Sequence, residues 1–127
     1  MGISRGTIGL LAITLGARPQ RERVVTFGVQ KVEAEPTDIR RILEKHGFPV
    51  QSPGPGIEPS GTEGQSVLFS LMGFRRIDSI DYYPDEGPSF MFDLNHALPV
   101  DPGPAFDLVY DGGTMEHCFD PAQVLRN

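Results

Sequence analysis

The sequence predicts an α/β protein with a mainly parallel sheet, and two observations support this prediction. Short β-branched or aromatic runs alternate along the chain with segments of helical periodicity, which is typical of parallel strands joined by crossover helices. The run Phe106–Tyr110 is almost continuously apolar, as expected of a strand covered on both faces, and an acid and two glycines follow it. With 127 residues and 39% hydrophobic content, residues 1–127 are expected to form a single domain.

The first predicted element is an N-terminal helix over residues 3–17. Ile8, Leu11 and Leu15 fall on one helical stripe, so this helix is expected to pack against the rest of the domain. A signal peptide or membrane segment is the alternative. The apolar run follows a single basic residue and is far shorter than the roughly 20 residues that a membrane span requires, so no membrane association is predicted.

A strand, a helix and a loop are predicted next. Val24–Phe27 is β-branched and aromatic and ends at Gly28, which indicates the first strand. Residues 36–47 begin with proline, carry apolar residues at helical spacing and end with glycine, which together predict an amphipathic helix. The Pro/Gly-rich residues 49–64 are expected to form a surface loop within the same domain.

The remaining elements complete the alternation of strands and helices. Apolar periodicity marks each of them, and glycines or prolines bound them. They comprise a helix at 67–72, strands at 77–83, 89–92 and 106–110, and a final helix that begins at Pro121.

The distribution of charge limits the classes of partner. The chain has 17 acidic and 11 basic residues, and the excess of acids lies after residue 50, in the half that also holds the candidate site. A negatively charged cleft repels phosphate backbones, so nucleic-acid binding is not expected. Cys118 is the only cysteine, which excludes an internal disulfide and favours a reducing, cytoplasmic setting.

Three predicted strands end in a carboxylate, namely Asp81, Asp93 and Asp111. The carboxyl ends of parallel strands lie at one edge of a sheet, so a single ligand can contact all three acids. A carboxylate accepts hydrogen bonds from both hydroxyls of a ribose, which makes Asp81 the candidate for ribose binding, and Asp93 is placed to receive an exocyclic amine. The alternative is that these acids only form turns and cap helices.

Other side chains at this edge each allow a functional and a structural interpretation. Gly28 permits one close approach of the backbone to a ligand, and Tyr82 either stacks on adenine or forms part of the rim. His117 is a candidate general base with Glu116 beside it, or the pair simply begins a helix whose positive end favours the acid. Cys118 is either a nucleophile or a small packing residue.

Two common kinds of site motif are absent from the sequence. No HxH, CxxC or HExxH spacing is present, so no metal site is predicted. The first predicted strand is not followed by the glycine-rich loop that holds a pyrophosphate, because Gly28 is the only glycine there. A dinucleotide such as NAD is therefore a weaker alternative than a nucleoside cofactor that carries no phosphate.

Four stretches of the sequence together give a family resemblance: IDSIDYY at 77–83, FDLN at 92–95 with LP shortly after it, FDLVYDGGTMEH at 106–117 and FDPAQVLRN at 119–127. Over most of residues 67–127, the chain resembles class I S-adenosylmethionine-dependent methyltransferases. It is especially similar to bacterial methyltransferase-like proteins that carry DGGTxEH after the fourth strand. The N-terminal helix and the first strand match this family more loosely.

The resemblance implies a Rossmann-like three-layer sandwich, S-adenosylmethionine as the cofactor and a methyl acceptor that the sequence does not identify. In this family the acid that ends the second strand binds the cofactor ribose, which corresponds to Asp81, and the pair beside the adenine corresponds to Asp93 and Leu94. The turn after the fourth strand lies against cofactor and substrate. Its matching residues are Asp111, Gly112, Gly113, Glu116 and His117.

The resemblance also implies that the fold is partial, since the C-terminal strands of the family have no counterpart here. We therefore expect a fragment of a methyltransferase-like domain with weak or no activity of its own. The alternative is a non-catalytic, Rossmann-like interaction module that forms a homo-oligomer through the exposed edge of the fourth strand.

Overall fold

The computed structural model describes residues 2–16, 21–52, 64–99 and 105–127. Within these ranges, short strands and helices alternate along the chain. In order, they are β1 (Gly2–Ile3), α1 (Arg5–Leu15), β2 (Arg23–Phe27), β3 (Lys31–Val32), α2 (Pro36–Lys45), α3 (Gly64–Leu71), β4 (Arg76–Asp81), β5 (Phe90–Met91), β6 (Leu108–Asp111), a 3₁₀ turn (Met115–His117) and α4 (Pro121–Arg126).

The main sheet has four parallel strands in the order β5-β4-β2-β6. Val24 of β2 is paired with Ile77 of β4 on one side and with Leu108 of β6 on the other. β1 and β3 form a separate parallel pair. The predicted α/β class with a mainly parallel sheet is confirmed. The strand order is compatible with a Rossmann-like layout, because successive strands run outward from β2 to one side and β6 is then added on the other.

Helices α1, α2 and α3 cover one face of this sheet. Val24 of β2 points into the core beneath these helices, whereas Val25 points to the opposite face, as the period of two along a strand requires. Gly47 has a φ of 67°, and it follows α2 where the sequence predicts the end of that helix. The helices contribute these fully buried apolar residues: Ile8, Leu15, Ile39, Leu43, Leu68, Phe69 and Leu71.

The N-terminal helix is shorter than the predicted range 3–17. It begins at Arg5, because Ser4 Oγ accepts the backbone N–H of Thr7 at 3.2 Å and caps the helix, while Ile3 pairs with β3. The prediction that this helix packs through an apolar stripe is confirmed, since Ile8, Leu11 and Leu15 are all buried. Across the described part of the chain, α1 included, no helix is long and apolar enough to cross a membrane.

Of the predicted Pro/Gly-rich loop at 49–64, only residues 49–52 are observed outside helices and strands. Residues 53–63 lie outside the described residues, as does residue 17 at the end of the predicted N-terminal helix. The placement of Gly64 in this loop is wrong, since Gly64 is the first residue of α3. Its position is set by tertiary packing, because a Cβ on Gly64 would lie 3.1 Å from Cβ of Val32.

The opposite face of the sheet is covered less completely. The prediction that residues 106–110 form a strand covered on both faces is wrong: β6 begins at Leu108, and Val109 is 53% exposed. Leu108 and Tyr110 pack on the helical core, so Val109 points to the other face, where it lines an apolar groove of about 830 Å³. α4 covers part of this face through Val124.

The chain does not enter a helix directly after β6. Glu116 and His117 lie in a single 3₁₀ turn, so the interpretation that they begin the final helix is wrong. α4 begins at Pro121, as predicted, with the side chain of Asp120 accepting the N–H of Gln123 at 2.9 Å. The two elements are separate because the residue before a proline disfavours the helical conformation.

Candidate functional site

A cleft of about 480 Å³ opens at the carboxyl ends of β4 and β5. Asp81 ends β4 and Asp93 follows shortly after β5, so two of the three carboxylates predicted at one sheet edge line the same cleft. The turn after β6 supplies another wall. The other polar and aromatic residues of the lining are Tyr82, Tyr83, Phe92, Asn95, Thr114, His117, Cys118 and Phe119.

Asp81 is held at the end of β4 by main-chain contacts. Its backbone oxygen accepts the N–H of Phe92 at 2.9 Å, which ties the end of β4 to the segment after β5. Its side-chain Oδ1 accepts the N–H of Tyr83 at 3.2 Å. Among the described residues no hydrogen bond reaches Oδ2, so the carboxylate of Asp81, which lines the cleft, has acceptor capacity to spare.

Asp93 is held by its neighbour Asn95. Oδ1 of Asp93 accepts both the backbone N–H of Asn95 at 3.0 Å and its side-chain amide at 2.8 Å. These two bonds, the backbone one first, keep the pKa of the Asp93 carboxyl below its ordinary value. The side-chain oxygen of Asn95 in turn accepts the N–H of Asp120 at 2.9 Å. Asn95 was not singled out from the sequence, although Asp-x-Asn is a common turn signal.

The segment that follows Leu94 is fixed by Asn127, which lies after α4. Nδ2 of Asn127 donates to the backbone oxygens of Leu94 at 3.0 Å and His96 at 2.9 Å. Oδ1 of Asn127 accepts the N–H of Leu98 at 3.2 Å. One side chain therefore holds three points of the segment that forms the wall of the cleft.

The predicted cofactor residues divide into two groups. The first group lines the cleft and consists of Asp81, Tyr82, Asp93 and Leu94. The second group does not line it and consists of Gly28, Asp111, Gly112 and Gly113. The four that line the cleft end or follow β4 and β5, whereas the four that do not line it lie at the ends of β2 and β6. Gly28 is nevertheless close to the cleft, because its N–H donates to the backbone oxygen of Ile80 at 2.7 Å.

Asp111 has a structural environment of its own. One of its carboxylate oxygens accepts the N–H groups of Gly113 at 3.0 Å and Thr114 at 2.7 Å, and the other accepts that of Met115 at 3.1 Å. This carboxylate therefore caps the 3₁₀ turn after β6. Asp111 lines the apolar groove on the face of the sheet opposite α1, α2 and α3, and it does not line the cleft.

Two side chains close the end of β2. The hydroxyl of Thr114 donates to the backbone oxygen of Phe27 at 2.8 Å, and Nε2 of Gln30 donates to the same oxygen at 2.8 Å. Gln30 is fully buried, and its Oε1 has no hydrogen-bond partner among the described residues. Gln30 was not singled out from the sequence, because contacts between chain segments far apart in sequence leave no local pattern.

Of the two predicted catalytic candidates, His117 lines the cleft and Glu116 does not. Nε2 of His117 lies 3.5 Å from Oε1 of Glu116, and both side chains are mostly exposed. The imidazole is thus a polar group within reach of a ligand in the cleft. Glu116 is positioned to act only through His117.

Cys118 is a partly buried packing residue at the cleft. Its Sγ–H donates to the backbone oxygen of Thr114 at 3.5 Å, and its side chain packs against the smaller apolar cluster. Burial raises the pKa of the Cys118 thiol, and the negative charges of Asp93 and Asp111 raise it further. The protonated thiol is therefore favoured, which is the opposite of what a nucleophile requires.

We expect Cys118 to react slowly with a thiol-specific disulfide reagent at pH 7. Because its pKa is raised above the ordinary value of 9.0, the thiolate fraction and the reaction rate should increase only at higher pH than for a free cysteine. Absorbance of the released thiol across a pH series measures this rate. The variant Cys118→Ser controls for background, since the chain has no other cysteine. A rate above that of free cysteine at pH 7 would contradict the expectation.

The fold and the cleft define a parallel α/β domain with an acidic, aromatic-rimmed pocket at the carboxyl ends of two neighbouring strands. Within residues 2–16, 21–52, 64–99 and 105–127, no group of three or more His, Cys, Asp or Glu side chains is arranged to hold a metal ion. No protein-family model, no curated protein and no solved structure matches the chain.

Proposed function

We propose that this chain is an S-adenosylmethionine-dependent methyltransferase-like domain that binds the nucleoside of the cofactor in the cleft after β4 and β5. The observation that carries the proposal is the placement of Asp81 and Asp93 in one cleft at the ends of neighbouring parallel strands. The resemblance of residues 67–127 to that family supplies the identity of the cofactor.

Asp81 suits the ribose. Its carboxylate lines the cleft and has acceptor capacity to spare at Oδ2, and a carboxylate at the end of this strand accepts hydrogen bonds from ribose hydroxyls in nucleoside-binding sheets. Hydrogen bonds to a charged acceptor are the stronger kind, so this contact is expected to dominate the binding of the sugar.

The region around Asp93 suits a purine base. Leu94 is buried at the base of the cleft, and Tyr82 and Tyr83 stand exposed at its rim in an edge-to-face pair with ring centroids 4.9 Å apart. Apolar and aromatic surfaces favour the faces of a flat ring, and the carboxylate of Asp93 is an acceptor for an exocyclic amine.

The charge at this edge of the sheet favours a cationic cofactor. Carboxylates follow the ends of the strands, whereas Arg23, Arg75 and Arg76 lie at or just before the starts of β2 and β4. An acidic edge attracts the sulfonium of S-adenosylmethionine and repels the pyrophosphate of a dinucleotide. The alternative of an NAD-type ligand is therefore less favoured than a nucleoside cofactor without phosphate.

S-adenosylmethionine supplies an activated methyl group, so the residues of the chain have to orient the two reactants and receive a proton where the acceptor loses one. His117 is our candidate for the proton acceptor, because an imidazole that lines the cleft is the side chain most often used in this role. We expect the methyl acceptor to be a molecule other than nucleic acid, because an acidic cleft repels phosphate backbones.

Replacing Asp81 with alanine should weaken binding of S-adenosylmethionine by about tenfold or more, because one or two charge-assisted hydrogen bonds to the ribose are lost. Isothermal titration calorimetry of the wild-type chain and of Asp81→Ala measures the change. Asp85→Ala is the matched control, since Asp85 is exposed and does not line the cleft. The proposal would be contradicted if the wild-type chain did not bind S-adenosylmethionine, or if Asp81→Ala bound it as tightly as the wild type does.

The second candidate is a non-catalytic interaction module that forms a homo-oligomer. The observation that favours it is the free edge of β6, which pairs only with β2 among the described strands and carries the exposed Val109. A chain that binds no nucleoside in the titration, and that is a dimer by light scattering, would favour this candidate over the first.

A further inference from the structure

The order of the strands places the natural ligand crevice of this sheet between β2 and β6. In open parallel sheets, ligands lie outside the carboxyl ends of the strands at the point where the strand order reverses. Here that point is the boundary between β2 and β6, because β4 and β5 extend from one side of β2 and β6 from the other. The observed cleft lies at the ends of β4 and β5, and Thr114 and His117 from the turn after β6 form its other wall, but Gly28 and Gly112 do not line it.

The chain's own side chains fill the crevice between β2 and β6. Nε2 of Gln30 donates to the backbone oxygens of Phe27 at 2.8 Å and Gly28 at 3.3 Å. The backbone N–H of Gln30 donates to Oε1 of Gln65 at 2.6 Å, which fixes the residue against α3. Thr114 closes the same point from the side of β6 through its bond to the oxygen of Phe27.

The carboxamide of Gln30 also contacts the turn after β6. A Cβ atom added to Gly112 would overlap Oε1 of Gln30 and lie 2.9 Å from its Cδ, so this side chain rests directly against the Cα of Gly112. Oε1 of Gln30 is buried without a partner among the described residues, so the contact is one of packing. The two donations by Nε2 set the position of the carboxamide.

We propose that Gln30 is a specificity-determining residue that closes the crevice between β2 and β6, so that the site binds the nucleoside part of its ligand and makes no contact with an amino-acid group on the 5′ side. The proposal rests on the proposed function. It accounts for the absence of Gly28, Gly112 and Gly113 from the lining of the cleft.

The amide of Gln30 uses acceptors at the end of β2 that the ammonium group of such a ligand could otherwise use. The backbone oxygens of Phe27 and Gly28 are acceptors at the end of β2, and Nε2 of Gln30 now uses both of them. Removal of this side chain leaves the oxygen of Phe27 bonded to Thr114 and frees acceptor capacity at both carbonyls. A ligand ammonium can then donate to them, with the added strength of a charged donor.

Two thioether nucleosides test this inference, because they differ only by the amino-acid portion and neither carries a sulfonium. They are S-adenosylhomocysteine and 5′-methylthioadenosine. For the wild-type chain, calorimetry should give dissociation constants within about threefold of each other. For Gln30→Ala, the preference for S-adenosylhomocysteine should rise about tenfold, which corresponds to one charge-assisted hydrogen bond.

Gln51→Ala is the matched control, since Gln51 is exposed and lies outside the cleft, and it should bind as the wild type does. Gln30→Ser provides a second, polar variant that also removes the carboxamide if Gln30→Ala does not fold. A wild-type chain that already prefers S-adenosylhomocysteine tenfold, or an unchanged ratio in both Gln30 variants, would overturn the inference alone. Binding of neither nucleoside to any variant would overturn the proposed function, and this inference with it.

Discussion

Replacing Gly112 with alanine is expected to lower the free energy of unfolding by about 1–3 kcal/mol, the usual cost of overpacking a well-packed site. The added Cβ would overlap Oε1 of Gln30, and it would lie 2.9 Å from Cε1 of Tyr110. Gln30 is fully buried and fixed by its hydrogen bonds, so it cannot move aside freely. Chemical denaturation followed by circular dichroism measures the loss.

A second substitution tests whether the overlap with Gln30 causes this loss of stability. Gln30→Ala removes the carboxamide that the new methyl group overlaps and leaves Tyr110 in place, so the double variant Gly112→Ala/Gln30→Ala should lose less stability than the sum of the single changes. Gly6→Ala in α1 is the control, because the nearest atom to its Cβ is Oγ of Ser4 at 3.7 Å, and it should be neutral or stabilising. A Gly112→Ala variant as stable as the wild type would contradict the close contact.

Replacing Phe69 with alanine should cost about 3–5 kcal/mol, the largest loss of stability that we expect from one substitution in this chain. Phe69 is fully buried in α3 and makes edge-to-face contacts with Phe74, at 5.8 Å between ring centroids, and with Tyr110, at 6.3 Å. The change removes a large apolar side chain and leaves a cavity between α3 and β6. The denaturation midpoint and slope together give the free energy.

Phe119→Ala is the matched control for this experiment. Phe119 is 98% exposed at the rim of the cleft, so the same truncation removes almost no buried surface and should change the free energy of unfolding by no more than about 0.5 kcal/mol. Similar losses for the two variants would show that α3 does not pack on the sheet as described. Phe69→Leu, which keeps most of the volume, should fall between the two.

The placement of Asp81 and Asp93 in one cleft was predictable from local signals. Each follows a short β-branched or aromatic run, and the alternation with helices indicates a parallel sheet, so both acids had to meet at one edge. The helix over residues 36–47 was predictable for a similar reason, because its proline, apolar spacing and terminal glycine all indicate the same element.

Other features depend on contacts between segments that are distant in sequence, and they could not be predicted from the sequence. Asp111 ends a predicted strand, as Asp81 does. Its carboxylate, however, accepts hydrogen bonds from the backbone N–H groups of the turn that follows it. Gln30 has no motif that marks it, and its role arises only when the turn at Gly112 packs against it. Val109 lies in an apolar run and was therefore expected in the core, but it is exposed because the described elements on its face of the sheet do not cover it.

The three hydrogen bonds of Asn127 connect the end of α4 to the wall of the cleft. Force or bulk applied just after α4 is transmitted through this side chain to the backbone at Leu94 and His96, a short distance from Asp93. An affinity tag or fluorescent label joined directly to Asn127 would therefore disturb the proposed binding site. Attachment ahead of β1, or through a long flexible spacer after Asn127, would spare it.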